Sequence, residues 1–444
     1  MNQASALLPE AIKHLRNLIE IPSIAFPGFN HDQVHRSGQY VAQMFSELPG
    51  FTVKSLTLSS GLPTIVAERI VSPDLPTILF YAHHDVQPTP ATQGWKSDPF
   101  TAIAGEDGRI YGRGAADDKS GVVIHHAAIK GYLNTEQQPR CNLKVVIEGE
   151  EEAGSTLEDY ISQNPEQFSC DMALEADMGS LRENEPALTT ALRGDVSLIC
   201  EVATLQGSLH SGLFGGPVPD AVMALTKLLN RLHDDAGQLA VPGLHTPEWS
   251  GAQMPAEQFL ASAKLLPETV LFAADNLAAH LWSGPSITVT GIDLPAPDQA
   301  PNVLHARVQA RISMRVAPGG DPQIEFEKLA TFLQTDPPFG AEVKVRPLHL
   351  SKPFEVDRNS PYLQQAQAAL QSGFGLTPSY IGAGGTIPLL ATQAAVCGHR
   401  NIVLWGAQDM DKAQIHAGNE SVSPAEIERM IATELAFLQN LSSN

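Results

Sequence analysis

Apolar runs in the first part of the chain end abruptly in polar residues. Leu75–Asp85 (LPTILFYAHHD) is mostly apolar and closes on His-His-Asp, so it reads as a buried strand. Leu143–Ile147 (LKVVI) is mostly apolar and β-branched and runs straight into EGEEEAGS, and Asp171–Asp177 (DMALEAD) is a shorter strand of the same kind. Between the first two, Gly108–Leu133 (GRIYGRGAADDKSGVVIHHAAIKGYL) predicts a turn, a Gly-rich loop and then a helix. The N-terminal segment places Ile12, Leu15 and Ile19 on one face at helical spacing. Strands alternating with helices predict an α/β domain with a mostly parallel sheet and helices on both faces. Ligands in such sheets gather beyond the carboxyl ends of the strands, where these polar clusters fall.

The texture changes near Gly194. DVSLICEVATL is a strand and Asp220–Leu232 a helix; Pro285–Ile292 and His305–Val316 are strands, DPQIEFEKLATFLQ a helix, and Ala341–Leu350 a last strand. The order βαββαβ predicts a ferredoxin-like α+β domain, with residues 234–284 as a partly helical insertion within it. After SKPFEVD the first texture resumes with a helix over Tyr362–Gln371, a GAGG loop, the strand NIVLWG and a last helix from Pro424. The expected organisation is therefore one domain in two parts, 1–193 and 353–444, interrupted by an inserted domain over 194–352.

Composition narrows the classes. The 444 residues are 43% hydrophobic and carry a formal charge of −21, which argues against nucleic acid or an anionic membrane as the main partner. No secretory apolar region follows a basic patch at the N-terminus, and no stretch is apolar enough to span a bilayer. Cys141, Cys170, Cys200 and Cys397 are scattered without a CxxC spacing, and are expected to be reduced, mostly buried thiols in a cytoplasmic protein.

The chemistry concentrates where strands end. Glu148, Glu150, Glu151 and Glu152 crowd the end of one strand, and His83, Asp85, Asp117, Asp118, Asp177 and His416 occupy comparable places. Clustered carboxylates repel unless positive charge lies among them. Histidines mixed with carboxylates suit zinc, cobalt or manganese better than calcium. Each piece alone has a plainer reading: HxD as polar surface, Asp-Asp as a helix cap, the glutamates as a solvated face.

As an ordered set, YAHHDVQP, IYGRGAADDKSG, EGEEEAGS, EADMG, LRG, LHSG and IHAGNE resemble the dinuclear-zinc exopeptidases and amidohydrolases. That family includes carnosinase-type dipeptidases, glutamate carboxypeptidases, succinyl-diaminopimelate desuccinylase and aminoacylases. The resemblance covers nearly the whole chain. It implies two divalent ions, zinc first, with cobalt or manganese as alternatives. His83 and Asp177 would hold one ion, Glu152 and His416 the other, and Asp117 would bridge them through a cis peptide to Asp118. Asp85 would orient His83, and Glu151 would be the general base. Glu150 is expected to be structural or solvated.

For the substrate, the resemblance implies His210 as the group stabilising the oxyanion, Arg315 as the carboxylate grip, and Asn302, Gly384, Gly385 and Thr386 as further contacts. Their plain alternatives are a strand-end His, a surface ion pair and turn residues. It also implies that 1–193 and 353–444 form the catalytic domain, and that the inserted domain is a lid and dimerisation domain through which a homodimer forms. The carnosinase-type dipeptidases carry Arg-Glu before Gly-Gly, where this chain has Gly382 and Ala383. The expected activity is hydrolysis of dipeptides or short peptides, with an N-acyl-amino-acid deacylase as the alternative. A metal-stabilised binding protein without turnover would lack a ligand or the base, and none is missing.

Overall fold

A computed structural model describes residues 3–135, 139–272, 275–385, 387, 389–397 and 401–441. The chain divides into two compact units: residues 1–190, 356–381 and 389–444 form the first, and residues 191–355 with 382–388 the second. The short segment 382–388, which the sequence kept with the last part of the catalytic domain, groups instead with the second unit.

The first unit is built on a sheet in the order Thr52–Thr57, Pro63–Arg69, Asn142–Glu148, Thr77–His83, Met172–Glu175, Ile402–Leu404, Ala187–Leu192. The four strands from Asn142–Glu148 to Ile402–Leu404 pair in parallel, and the flanking pairs are antiparallel. The central strands are buried almost end to end, which is why they appear in the sequence as continuous apolar runs rather than alternating ones. The helix Lys119–Thr135 is buried nearly all round. It packs against Gln3–Ile19 and Pro424–Gln439, and the last of these also packs against Pro361–Phe374. Leu15 and Ile19 are buried as the helical spacing requires, with Ile12 partly covered.

Within this unit Cys170 and Cys397 are joined as a disulfide across a sequence separation of 227 residues, while Cys141, in the same unit, and Cys200, in the second, are buried and outside any disulfide. This corrects the expectation of four reduced thiols. Cys170 leads into the strand Met172–Glu175 and Cys397 follows the helix Leu389–Val396, so only the tertiary fold brings them together. Among the described residues no helix is long and apolar enough to cross a membrane.

The second unit holds a four-stranded antiparallel sheet in the order Ser286–Ile292, Arg307–Val316, Gly194–Ala203, Glu342–Ser351. With the helices Ala221–Asn230 and Pro322–Gln334 this is a ferredoxin-like arrangement. Alternation sends Val308, Ala310, Ile312, Met314 and Val316 into a core shared with Val196, Leu198, Cys200 and Val202. Arg311, Ser313 and Arg315 therefore fall on the opposite, polar face.

Candidate active site

Five segments deliver the charged cluster of the first unit. The strand Thr77–His83 ends in His83, and alternation sends His84 the other way, where its Nε2 lies 3.3 Å from the Pro63 carbonyl and burial lowers its pKa to about 3. The Asp117–Asp118 peptide is cis, and the two side chains part company. Asp118 accepts the Gly121 and His83 backbone N–H groups, partly fulfilling the helix-cap reading, whereas Asp117 turns toward the histidines.

Asp117 lies between two imidazoles. Its Oδ1 is 2.9 Å from His83 Nε2 and its Oδ2 is 3.0 Å from His416 Nε2. Asp177 Oδ2 approaches His83 Nε2 at 3.9 Å, and Glu152 Oε2 approaches His416 Nε2 at 3.3 Å. Two sets of three donors result, His83–Asp117–Asp177 and Asp117–Glu152–His416, and within each set the donor atoms lie within 4.8 Å of one another. They share Asp117. Burial and the neighbouring Asp117 carboxylate hold the Asp177 carboxyl well above its ordinary range. Acids crowded in this way are relieved by divalent charge placed among them, and imidazole nitrogen with carboxylate oxygen is a donor set that zinc, cobalt and manganese accept. The residues fit such ions.

Asp85 is fully buried and organises three neighbours at once. Its carboxylate lies 3.4 Å from His83 Nδ1 and accepts the backbone N–H groups of Glu151 and Glu152, each at 3.1 Å. Glu151 and Glu152 open the short helix Glu151–Gly154 and are half-buried. Burial, helped by the Glu152 and Asp85 carboxylates, pushes the Glu151 carboxyl up to about 7. Glu148 and Glu150 are buried rather than solvated. Tyr81 Oη donates to Glu148 at 2.6 Å, and the Thr156 N–H and hydroxyl donate to Glu150, so Glu150 is structural.

Several residues that hold the ligands were not singled out from the sequence. Glu420 is fully buried and accepts the backbone N–H groups of Gly114, Ala116 and Asp117 together with Arg113 Nη1. Gln408 Nε2 donates to Asp177 Oδ1 at 2.9 Å, Gln87 Nε2 to Glu152 Oε2 at 2.6 Å, and Gln93 Nε2 to the His416 carbonyl at 3.1 Å. The only sequence signal for Glu420 was its place in IHAGNE.

The remaining sequence-derived candidates lie in the second unit. His210 is exposed; its Nδ1 accepts the Gly212 N–H, and its backbone pairs with Val303. The Asn302 carbonyl accepts the Ser211 N–H, so Asn302 and His210 are brought together on one ribbon. Arg315 stands on the polar sheet face with Nη1 3.7 Å from Asp195. Gly384 and Gly385 follow the strand Ser379–Ala383, and Thr386 lies outside the described residues.

Residues 79–440 match peptidase family M20/M25/M40. The chain belongs to that family. It is a metallopeptidase, a hydrolase that works with divalent metal ions. This M20 peptidase is 34% identical over 416 residues to the cysteinylglycine-S-conjugate dipeptidase of Corynebacterium striatum, covering 92% of this chain and 90% of that protein. It is 28% identical over 381 residues to the human beta-Ala-His dipeptidase, covering 81% of this chain and 74% of that protein. Among solved structures, the M20 metallo-carboxypeptidase Sso-CP2 from Sulfolobus solfataricus superposes with a TM-score of 0.81 at 25% identity, covering 97% of this chain and 98% of that one. Human carnosine dipeptidase 1 superposes with a TM-score of 0.79 at 25% identity, covering 98% and 97%.

Proposed function

We propose that this M20 peptidase is a dipeptidase that hydrolyses the amide bond of dipeptides or short peptides and releases an amino acid with a free carboxylate. The observation that carries the reading is the pair of donor sets sharing Asp117, with Glu151 beside them. His83, Asp117 and Asp177 would hold one divalent ion, and Asp117, Glu152 and His416 a second, with zinc preferred and cobalt or manganese as substitutes. When bound, such ions make a water acidic and polarise the scissile carbonyl.

The chain's own groups then divide the work. Glu151 takes a proton from the attacking water and returns it to the leaving amine, acting as base and then as acid. Asp85 keeps His83 oriented and, through the backbone N–H groups of Glu151 and Glu152, fixes the base and one ligand on the same carboxylate. Arg315 grips the substrate carboxylate, His210 stabilises the oxyanion, and Asn302, Gly384, Gly385 and Thr386 complete the contacts. A homodimer through the second unit belongs to the same reading. The relatives' names support the dipeptide substrate.

A second reading, an N-acyl-amino-acid deacylase, is favoured by Gly382 and Ala383, which supply no carboxylate to hold a free α-amine. The test has two parts. Glu151→Ala is expected to lower kcat by roughly 10²- to 10⁴-fold with the metal content unchanged; full activity in that variant rules out the assigned base. A panel of dipeptides and acyl amino acids assayed with zinc, cobalt or manganese separates the substrates, and cleavage of the acylated set alone rejects the dipeptidase.

A further inference from the structure

We infer that Arg193 is a positioning residue for the loop at Gly384 and Gly385. The inference rests on the reading of that loop as substrate-facing and names the group that sets its place. Every atom involved lies within the second unit.

Arg193 is buried, and its guanidinium is spent largely on backbone carbonyls. Nη1 donates to the carbonyls of His280 and Gly284 at 3.1 and 3.3 Å and to Ser286 Oγ at 3.2 Å. Nε donates to the Gly384 carbonyl at 3.4 Å, and the Arg193 backbone N–H donates to the Ala383 carbonyl, also at 3.4 Å. Burial, with Arg315 nearby, lowers its pKa to about 10, so it keeps its charge at neutral pH. One planar fork thus ties the loop to the turn Ala279–Ser283, a task for which the shorter-reaching, non-planar ammonium of lysine is a poor substitute.

The glycines show which part of the loop this packing governs. A Cβ at Gly382 would stand 2.4 Å from Trp282 Cβ, and Trp282 is itself buried and packed edge-on against Trp249. A Cβ at Gly384 would stand 3.0 Å from Arg193 Nη2 and 3.4 Å from the Leu281 carbonyl. Gly385 differs: among the described residues a Cβ there meets nothing within 4 Å, and its φ is not left-handed. Neither packing nor backbone conformation demands glycine at 385, which leaves close approach of a ligand as its use. Gly382 and Gly384 are the anchored base of the loop, Gly385 is its open end, and Arg193 holds the two in register.

Arg193→Met removes every side-chain donor at similar length and leaves the backbone N–H to Ala383, and Arg193→Lys restores some of the lost donors. The readouts are KM and kcat on a dipeptide that the wild type cleaves, metal content, and hydrogen exchange by mass spectrometry. Arg193→Met is expected to raise KM roughly ten- to a hundredfold with metal content unchanged. Faster exchange should be confined to peptides containing Gly384, Gly385 and residues 279–284, and Arg193→Lys should fall between. If Arg193→Met does not fold, Arg193→Lys carries the same test with a smaller shift. Wild-type KM and wild-type loop exchange would overturn the inference, as would faster exchange throughout the four-stranded sheet. A wild type that cleaves no amide removes the dipeptidase reading alone, and loop exchange then decides the role of Arg193.

Discussion

Glu420 gathers four donors from one loop on two carboxylate oxygens, and that loop carries Asp117. Its charge is offset by Arg113 at 2.7 Å, with both side chains buried. Glu420→Gln keeps the size but replaces one acceptor oxygen with an NH2 group facing N–H donors. We expect metal affinity to fall roughly 10- to 100-fold, with most of the activity returning at saturating metal, as measured by titration against a chelator. Unchanged affinity would mean that the Asp117 loop holds itself. The contrast with Asp85 shows what sequence could offer at this scale. Asp85 lies two residues from His83, inside the motif YAHHDVQP, so the family resemblance could point to it. Glu420 meets its partners more than 300 residues upstream, and no local pattern encodes that pairing.

At the scale of elements, the disulfide changes how the strand Met172–Glu175 and the helix Leu389–Val396 are held. In denaturant without reductant, two of the four cysteines should react with a thiol reagent, Cys141 and Cys200, and all four after reduction. Four reactive thiols before reduction would show the bond to be absent. Replacing both Cys170 and Cys397 with serine should cost about 2–4 kcal/mol in denaturant unfolding. The strands and helices themselves were largely legible, because burial on both faces leaves unbroken apolar runs and one-sided burial leaves alternation. Leu75–Asp85 was expected as a buried strand and His305–Val316 as a strand, and the observed strands Thr77–His83 and Arg307–Val316 fall within them. What escaped was pairing over long separations: the disulfide, the glutamine contacts to Asp177 and Glu152, and the grouping of 382–388 with the second unit. Each depends on where the chain returns in space rather than on its neighbours.

For the whole molecule, the buried acids make stability depend on pH. Burial pushes the carboxyls of Glu148 and Asp118 up to about 8 and that of Glu151 up to about 7. Each holds in the folded chain, at pH 6.5, a proton that it has lost in the unfolded chain, and gives it up as pH rises, Glu151 through about 7 and Glu148 and Asp118 through about 8. His416, lifted to about 10 by its hydrogen bonds to Asp117 and Glu152, adds to this above its ordinary 6.5. A folded state that binds more protons than the unfolded one loses stability as pH rises. Lys119, lowered to about 7 by burial, opposes the trend, as do His84 and His126, lowered by burial to about 3 and about 4, but these are outweighed. The metal-stripped protein should therefore melt at a lower Tm at pH 8 than at pH 6.5, and saturating zinc should remove most of the difference; a Tm that rises over this range would contradict the balance. The Val356 N–H donates to the Thr190 carbonyl at 2.9 Å, and next to it Glu355 pairs with Ala191. The 165-residue excursion between them leaves and rejoins at adjacent backbone positions. A tight hairpin would bridge that gap without stretching the chain, so residues 191–355 could be excised at one seam with the metal-gathering residues left in place, and segment 382–388 would then lose the unit it groups with.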